Sequence, residues 1–229
     1  MEKLERHFER DLDRLKEALL RLGSKAERAI EESMRALTQR DADLAREIMA
    51  RDEELDQLEL EADQICTDLL ALRQPIARDL RFIIMALKIA PELERIGDLA
   101  GNIAERAMEL AEEPPLKPLI DLQRMASIAR EMVGLSLDAF VRGDAQAARA
   151  VIARDDELDT LMEQDFRVLL SYMLEDPRAI GRGLRLLMVA KYLERIGDGA
   201  TNICEMVVYL VEGRVIRHGG IHPVDGEAT

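Results

Sequence analysis

Tryptophan is missing from this 229-residue chain, and aromatic residues together make up only 3% of it. The apolar mass is therefore left to Leu, Ile, Ala, Val and Met, the mixture favoured by helices and helix–helix packing. Cysteine is nearly absent as well. Cys66 and Cys204 stand alone with no CxxC pair, which excludes a disulfide framework and suggests two buried free thiols in a reducing compartment. Positive charge is in short supply, with 32 Lys and Arg against 46 Asp and Glu and a net charge of −14. A chain of that balance repels phosphate backbones and anionic lipid surfaces, so nucleic-acid binding is not expected. Long hydrophobic runs are also lacking. The longest, Phe82 to Leu87, is far too short to cross a bilayer, and Met1 to His7 are charged rather than leader-like. A soluble, cytoplasmic protein is expected.

What is present is a repeat. Leu93-Glu94-Arg95-Ile96-Gly97-Asp98, followed by Asn102 and Ile103, returns as Leu193-Glu194-Arg195-Ile196-Gly197-Asp198, followed by Asn202 and Ile203. Fainter repetition extends upstream of both copies, so the chain reads as one helical unit used twice.

The apolar spacing supports this. Phe8, Leu12, Leu15, Leu19, Leu22, Ala26 and Ala29 follow the period of an amphipathic helix, which Gly23 weakens but need not end. The pattern resets near Gln39, with Asp41 or Asp43 as the next N-cap. A second helix then carries Leu44, Ile48, Leu55, Leu58, Ala62, Ile65, Leu69 and Leu72, with Arg51 in one seam position, and stops near Gln74-Pro75. A third starts near Asp79 and carries Leu93, Ile96, Ala100 and Ile103, with Pro91 expected to kink it. Pro114, Pro115 and Pro118 then form a linker. The second half replays the first: Gly143-Asp144 makes the turn, Arg154 stands where Arg51 stood, and Asp176-Pro177 ends the next helix. The expected fold class is all-α, two tandem antiparallel three-helix bundles with no sheet. Residues 1–113 form the first repeat, 114–118 the linker, 119–213 the second repeat and 214–229 an irregular tail. Helices of about 30 residues would be roughly 45 Å long. In the tail, Gly219 and Gly220 between His218 and His222 forbid a helix, and no metal site is expected there.

The chemistry lies opposite the seam. With Glu94 at zero on a wheel of about 100° per residue, Asp98 falls at about 40°, Asn102 at about 80° and the seam near 220°. Asp52 and Asp56 share a comparable spacing on the second helix, with Glu59 and Asp63 on the same side. The counterparts in the other half are Asp155, Asp159, Glu194, Asp198 and Asn202, whereas Glu59 and Asp63 become Met162 and Phe166. An acidic face is ordinarily just a solvated one. Like charges four apart oppose each other by a few tenths of a kcal/mol, however, and this arrangement occurs on two helices and then recurs, flanked by Gly97 and Gly101. Clustered carboxylates call for cations, which Arg51, Arg95 and a labile surface metal would supply. An oxygen-only set suits Mg²⁺ or Mn²⁺ and also accommodates iron, and the lack of histidine argues against zinc.

Arg51-Asp52-x-x-x-Asp56, the run Asp79-Leu80-Arg81-Phe82 and the doubled L-E-R-I-G-D…N-I resemble the PhoU family of bacterial phosphate-uptake regulators. The resemblance covers roughly residues 4 to 213. It implies one metal cluster on Asp52, Asp56, Glu94 and Asp98 with Asn102 nearby, and a second on Asp155, Asp159, Glu194 and Asp198 with Asn202 nearby. Iron, Mn²⁺ or Mg²⁺ is the metal it implies. It also implies a cytoplasmic, non-enzymatic homodimer that represses phosphate uptake and starvation signalling. Its partners would be the ATPase of the Pst transporter and a PhoR-type histidine kinase. Pro91, with Lys191 at its counterpart, departs from the doubled pattern. The alternative is a metal-dependent hydrolase on the same carboxylates. Against it, no His base, Gly-rich phosphate loop or Ser/Cys nucleophile constellation is visible.

Overall fold

A computed structural model describes residues 2–73, 75–116, 120–217 and 220–222. Among the described residues there are eight α-helices in chain order. The first half contains α1 (Glu2–Gln39), α2 (Ala42–Met49), α3 (Asp52–Arg73) and α4 (Ala77–Ala111). The second contains α5 (Ile120–Arg142), α6 (Ala145–Ile152), α7 (Asp155–Glu175) and α8 (Ile180–Glu212), with a 3-10 turn at Pro177–Ala179. The tandem all-α architecture expected from the seams is what the chain adopts.

Two expectations need correction. The second helix of each half is not continuous. The Arg51 N–H donates to the Ile48 carbonyl (3.1 Å) and the Arg154 N–H to that of Val151 (2.9 Å), i→i−3 bonds that tighten the chain between α2 and α3 and between α6 and α7. This resetting buries both Ile48 and Leu55 while freeing the intervening arginine to leave the seam. The tail is not wholly irregular either. β1 (Val215–Arg217) pairs antiparallel with β2 (Gly220–His222), Ile216 opposite Ile221. Ile216 is buried against the helices, which anchors this small hairpin. Lys117, Pro118 and His218 fall outside the described residues, as does Gln74 at the expected helix stop.

The turn into each short helix is built the same way in both halves. Arg40 (φ 58°) and Gly143 (φ 65°) take left-handed conformations, and the following aspartate caps the helix. Asp41 Oδ1 accepts from the Leu44 N–H at 2.9 Å, which settles the cap on Asp41 rather than Asp43. Asp144 Oδ1 accepts from Gln146 and Ala147 at 3.0 and 2.9 Å. The strain at Arg40 is offset by its guanidinium, which donates to the Ala111 carbonyl (2.9 Å) and to that of Glu113, capping the end of α4. Asp144→Ala should lower stability by about 1 kcal/mol, measured by urea unfolding. No change would mean that water satisfies these amides equally well.

One continuous apolar core runs through both halves. α4 and α8 lie at its centre, packed on each other and on α1 and α5 respectively. Pro91 sits on the exposed side of α4, which continues past it. Where α1 meets α5, Gly23 is required by packing, because a Cβ there would fall inside the Leu137 side chain. Both cysteines are buried free thiols, and burial pushes each up to about 12, so neither is a nucleophile at neutral pH. No helix among the described residues is long and apolar enough to cross a membrane.

Candidate functional site

Each carboxylate cluster is assembled by a glycine. In α4, a Cβ on Gly97 would overlap Leu55 of α3; in α8, one on Gly197 would overlap Leu158 of α7. Both leucines are buried. The glycines therefore let a leucine from the neighbouring helix press against bare backbone, drawing the two axes together. Asp52 and Asp56 flank Leu55 in the chain, and Glu94 and Asp98 flank Gly97, so this contact brings those two stretches of helix together. In the second half the approach is explicit: Asp155 Oδ1 lies 3.2 Å from the Cβ position of Gly197.

The second cluster is electrostatically strained. Burial pushes the Asp155 carboxyl up to about 6, aided by the negative charges of Asp198, Asp159, Glu194 and Asp156. Asp159 is raised by burial, then by Glu194 and Asp156, with Lys191 opposing. Asp198 is raised by burial and by Glu194, against which Lys191 and Arg195 act. The four expected carboxylates of this half thus lie within one field. Two oxygens in it, Asp155 Oδ1 and Glu194 Oε2, are buried without a hydrogen-bond partner. Glu194 Oε1 accepts from Lys191 Nζ at 2.6 Å. A buried polar atom left unpaired costs about 1–3 kcal/mol, and more if charged. A hard cation among these oxygens would satisfy both atoms and reverse the repulsion. Oxygen donors of this kind suit a hard divalent ion by their chemistry, but among the described residues no group of three His, Cys, Asp or Glu side chains is arranged to hold one.

The first cluster is less developed. Asp52 opens α3, but its side chain lies outside those described. Asp56 and Asp98 are exposed, while Glu94 and Asn102 are half-buried. Asp98 and Asn102 share a shallow hollow with Met49, Gly101 and Glu105. The acidic neighbours noted in the sequence, Asp56 and Asp63, help burial raise the Glu59 carboxyl.

Two of the expected residues bond outside the clusters. The Arg51 guanidinium donates to Glu32 Oε2 of α1 (2.9 Å) and to Glu47 Oε2 (3.1 Å). Its counterpart Arg154 likewise turns to Glu131 of α5 (2.8 Å). Arginine in these positions ties the second helix to the first. Asn202 also turns elsewhere, its Nδ2 donating to Glu92 Oε1 of α4 at 3.4 Å, across the two halves. Asp165 was missed. It is 7% exposed, its Oδ2 has no partner, and burial followed by the charge of Asp121 raises it to about 6. Its signal was an acid four residues after Leu161, within the seam.

Comparison with known proteins follows from these features. A family model described as PhoU domain matches residues 19–107 and 122–207, one match in each half. The phosphate-specific transport system accessory protein PhoU homolog of Aquifex aeolicus is 42% identical over 91% of this chain and 95% of its own. That of Pseudomonas aeruginosa is 39% identical over 95% of this chain and 90% of its own. Among solved structures, PhoU from Pseudomonas aeruginosa superposes with a TM-score of 0.86 at 40% identity, covering 90% of this chain and 99% of that one. The phosphate transport system regulatory protein PhoU from Streptococcus pneumoniae gives 0.85 at 28% identity, covering 92% and 99%.

Proposed function

Because this chain belongs to the PhoU family, we propose that it is a cytoplasmic, non-enzymatic regulator of phosphate homeostasis. In this reading it binds the ATPase of the phosphate transporter and a sensor histidine kinase, damping both when phosphate is plentiful. The observation that carries the reading is end-to-end likeness: relatives named as phosphate-transport accessory proteins align over nine tenths of both chains. The architecture supports it. Long helices present charged faces in duplicate, and the acidic balance suits partners with basic patches, an association that added salt should weaken. A homodimer would duplicate those faces again.

The carboxylate clusters are the proposed metal sites. Asp155, Asp159, Glu194 and Asp198 would hold an ion in the second half, and Asp52, Asp56, Glu94 and Asp98 in the first. Iron, Mn²⁺ or Mg²⁺ all fit oxygen donors. Such an ion supplies positive charge at the groove between two helices, holding their faces in one arrangement for a partner. The orphaned oxygens of Asp155 and Glu194 support this assignment most directly.

The regulatory role is tested by deleting the gene in the source bacterium and reading a phosphate-starvation reporter in phosphate-rich medium. Derepression of about 10-fold or more is expected, corresponding to a coupling within the usual range for regulatory interactions. A reporter that stays silent, with unaltered phosphate uptake, would show the regulatory role to be wrong.

A further inference from the structure

At one end of the contact between α4 and α8 the charges are paired. Arg185 of α8 donates from Nε to Glu109 Oε2 of α4 (2.6 Å) and from Nη1 to Glu113 Oε1 just past its end (2.9 Å). At the other end the positions matching those glutamates in the repeat are Tyr209 and Gly213. Arg185 is matched there by Met85; one turn before it, Arg81 of α4 has a buried Nε with no partner, and its Nη1 lies 3.5 Å from the Cβ position of Gly213. Instead of an ion pair there is a cleft of about 660 Å³, roofed by Val215 and Ile216 of the hairpin. That is the size of small-molecule sites.

The cleft is chemically polarised along α4. Arg81 marks one end and Lys88, on the same wall, adds a second positive charge two turns on. Met85, Met206 and the Tyr209 ring line the middle. Glu92 and Glu205 mark the far end, where Asn202 bonds to Glu92. The span from Arg81 to Glu92 is roughly 16 Å of helix. An arginine fork with an unmet buried donor is suited to a phosphoryl or carboxylate group. The sulfur atoms and tyrosine ring suit a flat apolar body. Glu92 can accept from ring N–H or amino groups, and the carboxylates at this end would repel a second anion.

We propose that this cleft binds a small phosphorylated molecule of mononucleotide type. Its phosphoryl group lies on Arg81, its ring between Met85, Met206 and Tyr209, and its amino edge toward Glu92, with Lys88 adding positive charge along the same wall. The site is separate from the carboxylate clusters and stands whether or not they hold metal.

The test is calorimetric titration of the full-length protein with AMP, adenosine and inorganic phosphate at low salt. AMP should bind saturably at one site per chain, with adenosine and phosphate each weaker by about 10-fold or more, since each lacks one half of the contacts. Arg81→Gln and Lys88→Glu should each weaken AMP binding by about 10-fold or more. Circular dichroism verifies the fold, and Lys88 is exposed, so its variant is not expected to disturb packing. Failure of AMP to saturate by about 5 mM overturns the proposal. So does phosphate binding as tightly as AMP, or AMP affinity that both variants leave unchanged.

Discussion

Replacing Asp155 with Asn and Glu194 with Gln together should make the cation-free chain more stable at neutral pH and remove the second cluster's share of its response to divalent ions. The sign follows from the raised Asp155 carboxyl. Its folded value, about 6, exceeds the ordinary 3.8, so the native state binds the proton more tightly than the unfolded chain does. That contribution is complete below about pH 4 and is lost as pH rises through 6, on the order of 1–2 kcal/mol after allowance for solvent screening. The double variant removes the loss, and Asp156 and Glu157 remain in the first turn to complement the α7 dipole. Wild-type and variant melting temperatures should therefore diverge between pH 4 and 7.5, by about 2–4 °C per kcal/mol at this chain length. With Mn²⁺ at a hundred times the dissociation constant of this cluster, the wild type should gain about 2.7 kcal/mol more than the variant. Equal stabilisation of both proteins by Mn²⁺ would rule out the second carboxylate cluster as its binding site.

Phe140→Ala should destabilise the chain by about 3–5 kcal/mol, the usual range for removing a buried aromatic ring. Phe140 is fully buried on α5 and stacks against Phe82 of α4, ring centroids 4.6 Å apart and planes 14° apart. Lys16 of α1 lies 6.0 Å above the Phe82 ring, so three helices from both halves meet at this pair. Against a typical total of 5–15 kcal/mol, such a loss lowers the unfolding midpoint in urea by a large fraction. Phe166→Ala, on the surface of α7 at 43% exposure, serves as the control and should change stability by less than about 0.5 kcal/mol. A Phe140 variant as stable as this control would show that the stacked pair is dispensable.

The helices were legible because their apolar residues recur with the helical period, and Leu19, Leu93 and Leu193 are indeed fully buried. The breaks at Ala50 and Ala153 were not. An arginine in a seam is compatible with a continuous helix whose side chain reaches solvent, and the tie of each arginine to the first helix of its half, through Glu32 and Glu131, depends on distant residues. The hairpin escaped for a related reason: two strands of three residues are too short to show alternation. At the candidate site, i,i+4 spacing identified the carboxylates and their glycine neighbours, since both lie on one helix. What each side chain meets depends on other helices. The turn of Asn202 toward Glu92, 110 residues away, and the unmet Arg81 follow from how α4 crosses α8, which no local spacing encodes.

The contact of Gly23 with Leu137, together with the packing of α4 on α8, gives the chain the character of a dimer fused into one polypeptide. What would have been a subunit interface is interior, and the short connection after Glu113 keeps its two sides at a very high effective concentration. Dilution therefore cannot separate the halves. Each is free to diverge on its outer face while the inner one is held constant. The second half has done so already, placing Met162 and Phe166 where the first has Glu59 and Asp63. An assembly of identical single repeats would have had to change both sides at once.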